Sequence, residues 1–259
     1  MTGKDENGAK ISELASWLSK SHDTVVFTGA GISTESGMAD FRSPGGIWDR
    51  YDPNELSYPR FVSREASRRY YWNFYREYWQ EAGDVAPNSG HLALAELERL
   101  NIVTAVVTQN TDGLHKKAGH NPDKIYELHG NMWEVRCLEC FDLYPWEEIN
   151  KLLVEGKEVF KCRLCGGLLK TATISFGQSL SANTLQEAQR ACSSCDILLC
   201  IGSSLVVYPA ASLPEQAKRS GAKLVIINRE PTHLDRMADM VLHGEAGDIL
   251  SDVMKAIKQ

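Results

Sequence analysis

Val25-Val-Phe-Thr-Gly-Ala-Gly31 runs an apolar strand directly into two glycines, and the chain continues Ile32-Ser-Thr-Glu-Ser-Gly37. A strand ending in glycines at the start of a helix lets backbone N–H groups approach a phosphate closely. The same pattern also serves as an ordinary tight turn. It departs from the Gly-x-Gly-x-x-Gly dinucleotide fingerprint, because Thr34 stands where the third glycine belongs and the next glycine is Gly37. Only what lies downstream can separate the two readings.

Downstream come Thr108-Gln-Asn-Thr-Asp-Gly-Leu-His115 and then Leu128-His-Gly-Asn131, followed at once by two Cys-x-x-Cys pairs. Together they suggest a dinucleotide, a general base and a structural zinc in one chain. His129 taken alone would pass for a satisfied core histidine.

Seven cysteines are present, and the first four, Cys137, Cys140, Cys162 and Cys165, follow Cys-x2-Cys-x21-Cys-x2-Cys. Two such knuckles can present four thiolates tetrahedrally to Zn²⁺, as in a zinc ribbon. An odd cysteine count in a chain of this size argues against a disulfide framework. Cys192 and Cys195 repeat the short spacing without a partner pair nearby and read as incidental, and Cys200 reads as a buried strand residue.

The 259 residues can bury a full core and still carry a small second module. The composition, 43% hydrophobic and 24% charged, is that of a soluble globular protein. A net charge of −6 disfavours a dedicated nucleic-acid binder, which normally shows a basic stripe. No apolar run reaches the roughly 18 residues of a membrane span, and the polar start Met1–Gly8 lacks a signal core. A cytoplasmic location and a minimal catalytic core without a targeting extension are the expectations.

Hydrophobic patterning predicts helices over 8–20, 63–82, 91–100, 145–156, 182–191, 209–219 and 248–258. Strands are predicted over 24–28, 103–108, 124–128, 197–201, 223–227 and 241–242, with a further apolar run over 173–176. The segment 40–53 is too polar and punctuated for a core element. The aromatic helix, with Tyr70, Tyr71, Trp72, Phe74, Tyr75, Tyr78 and Trp79, packs against a second module or walls a substrate tunnel. Strand–helix alternation predicts an α/β fold: a Rossmann-like parallel-sheet domain over 8–132 and 174–259, with a small zinc-ribbon module inserted over 133–173.

In open parallel sheets ligands bind beyond the carboxyl ends of the strands. Polar or small residues follow several predicted strands: Gly29–Ser33, Gln109–Asp112, Gly202–Ser204 and Asn228–Glu230. Several strands delivering such residues to one edge are more specific than any single motif.

With these motifs in this order, the chain resembles the sirtuins, the NAD-dependent protein lysine deacylases, from about residue 10 to 257, as a prokaryotic-type minimal core. The resemblance rests on Thr28–Ser33, Asp40-Phe-Arg42, Thr108–Asp112, Leu114-His115, Glu127–Gly130, the four cysteines, Phe176-Gly177 and Gly202–Leu205. It implies that Gly29, Ala30, Gly31, Ser33 and Thr34 hold the NAD pyrophosphate at a helix N-terminus. Gly202, Ser203, Ser204, Asn228, Arg229 and Ala246 would surround the adenosine half. Asp40, Phe41 and Arg42 would shape the nicotinamide-ribose region. Gln109, Asn110 and Asp112 would line the nicotinamide pocket, with Asn110 and Asp112 catalytic beside the general base His129. Phe176, Gly177, Leu205, Val206 and Val207 would pair with the backbone of an acetyl-lysine peptide. The four cysteines would hold structural zinc with no open position.

The implied reaction is a transferase one. The acyl oxygen attacks the nicotinamide ribose, nicotinamide leaves, and the acetyl group passes to ADP-ribose. Membrane and nucleic-acid partners are not expected. Three departures from the sirtuin pattern stand out. Met38-Ala39 replaces Ile-Pro, Gln178 replaces Glu, and Tyr75 is followed at the Tyr-x-x-Arg spacing by Tyr78. Arg76 is turned about 100° from Tyr75 on a helix, so acetyl is expected over succinyl. The alternatives are a mono-ADP-ribosyltransferase or a deacylase for other acyl chains on the same scaffold, and a non-catalytic NAD-sensing module.

Overall fold

The computed structural model describes residues 3–157 and 160–259. Met1 and Thr2 of the polar start, and positions 158 and 159 of the predicted zinc module, lie outside the described residues. The elements of the first half are α1 (Gly3–Leu18), β1 (Thr24–Thr28), α2 (Ile47–Arg50), α3 (Tyr58–Ser63), α4 (Glu65–Ala82), α5 (Ser89–Arg99), β2 (Val103–Thr108), α6 (Leu114–Lys117) and β3 (Ile125–Glu127). Then come β4 (Gly130–Cys137), β5 (Leu143–Pro145), α7 (Trp146–Val154), β6 (Leu169–Thr173), α8 (Ala182–Ser194), β7 (Ile197–Ile201), α9 (Ser212–Arg219), β8 (Lys223–Asn228), β9 (Met240–His243) and α10 (Ala246–Ile257).

Six strands pair in the order β3-β2-β1-β7-β8-β9, all parallel. This is the strand order of a doubly wound dinucleotide-binding sheet. The period-2 alternation of each strand sorts its apolar residues onto two faces. Val26, Val106, Leu199, Ile201, Val225 and Ile227 pack with α1, α5 and α10. Val25, Phe27, Val107, Leu198, Leu224 and Ile226 pack with α8 and α9. Burial on both faces explains why β1 and β7 read as unbroken buried runs. Each fully buried Val, Leu or Ile contributes about 1.5–3 kcal/mol.

A second, antiparallel sheet, β5-β4-β6, shares an apolar core with α4 and α7. That core joins Trp72 and Trp79 of the aromatic helix to Met132, Val135, Tyr144, Ile149 and Leu169. The packing reading of the aromatic helix holds for Trp72 and Trp79, while Tyr71, Phe74, Tyr75 and Tyr78 also line a cavity.

Several local expectations are corrected. The segment after Gly29 forms two single turns of 3-10 helix, Ala30–Ile32 and Thr34–Ser36, closed by Gly37 at φ 93°. The segment 40–53 contains α2, whose Ile47 is fully buried, because Ile47 and Trp48 donate N–H bonds to the Asp40 and Phe41 carbonyls. The strand near 173 lies earlier, as β6, and belongs to the antiparallel sheet, since Gly130 takes Thr173 as its partner. The helix expected from 209 begins at Ser212.

Candidate active site

A cavity of about 700 Å³ opens between the carboxyl edge of the parallel sheet and the lobe built on the antiparallel one. It lies where the winding reverses between β1 and β7, the position at which the flanking connections leave in opposite directions. Of the residues singled out from the sequence, Gly29, Ala30, Gly31, Ser33, Asp40, Phe41, Arg42, Gln109, Asn110, Asp112 and His129 line it. So do Phe176, Gly177, Gly202, Ser203, Ser204, Val207, Asn228 and Arg229.

Four other sequence-predicted residues stand elsewhere. Thr34 turns its hydroxyl to the Gly31 carbonyl at 2.9 Å and accepts from Arg229 at 3.3 Å. Ala246 lines a separate small crevice with Gly244 and Glu245, next to Gly31, Gly202, Asn228 and Arg229. Leu205 is buried in the core, at φ 57°, so only its backbone is available to a partner. Val206 is exposed and outside the cavity wall. Trp48 and Glu245 were not legible as site residues. Trp48 joins the wall by packing between Phe41 and Phe176, at ring separations of 5.1 and 6.0 Å. Nothing local to the sequence marks Glu245.

The glycines answer to two demands. A Cβ on Gly29 would stand 2.8 Å from the Gly202 carbonyl oxygen, and one on Gly31 would stand 2.7 Å from the Gly202 Cα. The loops after β1 and β7 thus touch backbone to backbone. This leaves the cavity side of Gly29–Gly31 open to a ligand. Because only 3-10 turns follow, amides of a tight loop replace the expected helix N-terminus on that side.

His129 lies in the two-residue link between β3 and β4, and so between the two sheets. Gly130 makes this crossing possible, at φ 70° with a Cβ position only 2.0 Å from the Ala172 carbonyl oxygen. The His129 Nδ1 lies 2.9 Å from the Gln109 carbonyl oxygen, which can only accept. Nδ1 therefore carries the proton and Nε2 the free lone pair. Burial holds the imidazole below its ordinary 6.5, partly offset by the Gln109 carbonyl, so it is neutral near pH 7. A neutral imidazole with a bare Nε2 on a cavity wall can accept a proton.

The loop after β2 is held by a polar lattice. Asn110 donates through Nδ2 to the Gly29 carbonyl and the Ser33 hydroxyl, each at 3.1 Å. Ser33 donates to Asp112 Oδ2 at 2.7 Å, and the Leu114 amide donates to Oδ1 at 2.9 Å. Burial pushes the Asp112 carboxyl up, and those two bonds pull it back. Gln109 Nε2 donates to the Ser203 hydroxyl at 2.9 Å. Asp40 folds the 40–46 turn by accepting from the Arg42 and Ser43 amides at 2.8 and 2.7 Å. Burial would raise the Asp40 carboxyl, and the bonds from Ser43 and Arg42 outweigh it and hold it below the usual range.

The four cysteine Sγ atoms lie within 4.8 Å of one another, with Cys137–Cys165 at 3.5 Å and Cys140–Cys162 at 3.6 Å. Four thiolates at about 2.3 Å from zinc stand about 3.8 Å apart, so the cluster fits a closed tetrahedral site. Cys192, Cys195 and Cys200 are buried, and burial pushes their thiols up, consistent with inert core residues. Among the described residues no helix is long and apolar enough to cross a membrane.

A sheet of dinucleotide-binding strand order, a neutral histidine on the cavity wall between the two sheets and a four-cysteine cluster place the chain in the class of nucleotide-site folds with a metal-binding lobe. The Sir2 family model matches residues 29–209. The NAD-dependent protein deacetylase of Thermodesulfovibrio yellowstonii is 43% identical over 249 residues, covering 96% of each chain. The NAD-dependent protein deacylase 2 of Archaeoglobus fulgidus is 43% identical over 251 residues, covering 96% of this chain and 97% of that one. A solved Sir2 complex with a p53 peptide and NAD+ superposes with a TM-score of 0.85 at 37% identity, covering 94% of this chain and 96% of that one. The chain belongs to the Sir2 family.

Proposed function

We infer that the cleft carries out NAD-dependent protein lysine deacetylation, passing the acetyl group from lysine to ADP-ribose with release of nicotinamide. The observation that carries this is one cavity lined by Gly29–Gly31, Asn110, Asp112 and His129, whose Nδ1 is bonded to the Gln109 carbonyl, together with Phe176 and Val207. Gly29, Ala30, Gly31, Ser33 and Thr34 form the pyrophosphate loop. Gly202, Ser203, Ser204, Asn228, Arg229 and Ala246 take the adenosine half, and Asp40, Phe41 and Arg42 close over the nicotinamide ribose. Gln109, Asn110 and Asp112 line the nicotinamide pocket. Zinc on Cys137, Cys140, Cys162 and Cys165 is structural.

An amide oxygen is a weak nucleophile, so the protein's part is to align it with the ribose carbon and exclude water. The mostly apolar wall of Tyr71, Phe74, Tyr75 and Tyr78 supports that exclusion. His129 then removes a ribose hydroxyl proton through Nε2. The backbone flanking the acetyl-lysine would run as a strand between Phe176-Gly177 and Leu205–Val207, so main-chain bonds give affinity with little sequence selectivity. The module boundaries 8–132 with 174–259, and 133–173, and a cytoplasmic location, belong to the same reading.

The acetyl preference rests on Tyr78, which stands on the cavity wall at the position where an acidic acyl group would call for Arg. Arg76 is not on that wall. The test is incubation of the purified protein with acetyl- and succinyl-lysine peptides, with and without NAD, followed by mass spectrometry. Joint appearance of nicotinamide and acetylated ADP-ribose supports the reading. Unchanged peptide beside ADP-ribosylated protein would replace it with a transferase, and faster succinyl turnover would overturn the acyl assignment.

A further inference from the structure

Three histidines outside the cavity, His91, His115 and His120, are almost fully buried and stack edge to face at ring separations of 5.1 and 5.3 Å. Both nitrogens of His91, Nδ1 of His115 and Nε2 of His120 lack a hydrogen-bond partner. The three rings do not bring their nitrogens close enough together to hold a metal; among the described residues only the cysteine cluster does. Glu98 partners His120 through Nδ1 at 2.5 Å, but among the described residues His115 has no carboxylate partner. A leucine would fill the His115 site without an unpaired nitrogen. The nitrogen that is paired, Nε2, is therefore the informative one.

His115 Nε2 lies 3.0 Å from the Thr28 hydroxyl, and Thr28 donates onward to the Thr108 hydroxyl at 2.8 Å. With its proton so committed, Thr28 accepts from His115, which fixes the imidazole as the Nε2–H tautomer. The Thr108 hydroxyl oxygen also accepts the Asn110 amide at 3.0 Å. Thr28 is the last residue of β1 and Thr108 the last of β2. The chain of bonds thus spans the two strand ends that launch Gly29–Ser33 and Gln109–Asp112. Asn110 closes the circuit by donating to Gly29 and Ser33.

We propose that His115 is a positioning residue for the deacetylation, its Nε2–H locking the ends of β1 and β2 in register through Thr28 and Thr108 so that Asn110 faces the nicotinamide pocket. The proposal rests on the assignment of that pocket. Burial, with His91 and His120 adding to it, holds His115 far below its ordinary range, so the ring stays neutral and the donor stays on Nε2.

The experiment compares His115→Leu, His115→Gln, Thr28→Val, the double variant Thr28→Val/His115→Leu and His129→Ala. Melting temperature, kcat, and KM for NAD and for an acetyl-lysine peptide are measured for each. Glutamine can place an amide N–H where Nε2 stands, and leucine cannot. The expected result is a fall in kcat of about 10- to 100-fold in His115→Leu. Its peptide KM should be little changed, and most of the rate should return in His115→Gln. The double variant should lose no more than the worse single variant, as coupled residues do.

Normal kcat in His115→Leu, equal losses in the Leu and Gln variants, or losses that multiply in the double variant would each overturn the proposal. If His115→Leu does not fold, Thr28→Val decides alone, and normal kcat there rejects the chain of bonds. His129→Ala separates the two levels. An inactive His129→Ala beside a normal His115→Leu rejects the positioning role only, while an active His129→Ala rejects the pocket assignment and the proposal with it.

Discussion

The Gly31 amide donates to the Gly202 carbonyl at 2.8 Å, so the loops after β1 and β7 are bonded backbone to backbone where the sheet reverses its winding. Gly202 is at φ 62°, and a Cβ there would stand 2.3 Å from the Ile32 nitrogen. Gly202→Ala should therefore cost at least about 2 kcal/mol, from the left-handed conformation and the clash together. It should also weaken NAD binding, because the Gly29–Gly31 loop, proposed above to hold the pyrophosphate, must move. Thermal melts with and without NAD test this. An unchanged melting temperature with full NAD stabilisation would show that the loops tolerate separation.

His129→Ala should lower turnover by about 10²–10⁴-fold, the usual worth of a positioned base, and leave the fold intact. The wild-type rate should also have an acid limb. With His129 as the proposed base, neutral imidazole would be the active form and its pKa lies below 6.5, so activity should be complete at pH 7 and fall as pH drops through that lower value. A kcat/KM profile with no acid limb would remove His129 from the proton transfer.

Lys170 is fully buried, donates from Nζ to the Thr173 carbonyl at 2.6 Å, and has no acidic partner among the described residues. Burial pushes it down to about 7 from 10.5. Between those values the unfolded chain binds more protons than the folded one, so stability rises with pH across the window. Lys170→Met should flatten that rise, whatever it does to the absolute stability. Melting temperatures of both proteins from pH 6.5 to 10 check it, and parallel curves would mean that Lys170 stays charged.

The histidine cluster acts in a different window. His91 is pushed down to about 4 by burial, with His120 adding to the effect, and His115 and His120 are lowered as well. Their neutral forms are the folded ones, so stability is complete above about pH 6.5 and is lost as pH falls toward 4. Equilibrium denaturation at pH 7 and pH 5 should show the loss, and it should shrink in His91→Leu.

Zinc removal should unfold the lobe around the four cysteines, because metal geometry ties β4 to the loop before β6. Tyr144 of that lobe hydrogen-bonds Cys162 at 3.2 Å and is buried in the same core as α4. The damage should therefore reach the cavity wall. A strong chelator should abolish activity together with the near-ultraviolet signal of the aromatic cluster, and zinc should restore both. Persistence of activity after complete metal loss would show that the lobe folds on its apolar core alone.

Whatever depends on local chemistry was legible in the chain before it folds. Unbroken apolar runs such as Val25–Thr28 and Ile197–Ile201 have to be buried on both faces, which requires a parallel sheet under helices. The cysteine spacing carries its own ligand geometry, and the polar ends of the strands mark the binding edge. The rest depends on residues that folding brings together. Gly202 needs to be glycine because of Gly31, 171 positions away, and no local signal shows that. The protonated nitrogen of His129 is set by a carbonyl twenty residues earlier. Trp48 reaches the cavity wall through packing on Phe41 and Phe176, and Glu245 reaches the small crevice beside Asn228 and Arg229 because α10 starts beside β8's end. Burial, tautomer and close backbone approach are properties of pairs brought together by folding, whereas periodicity and ligand spacing are properties of the chain itself.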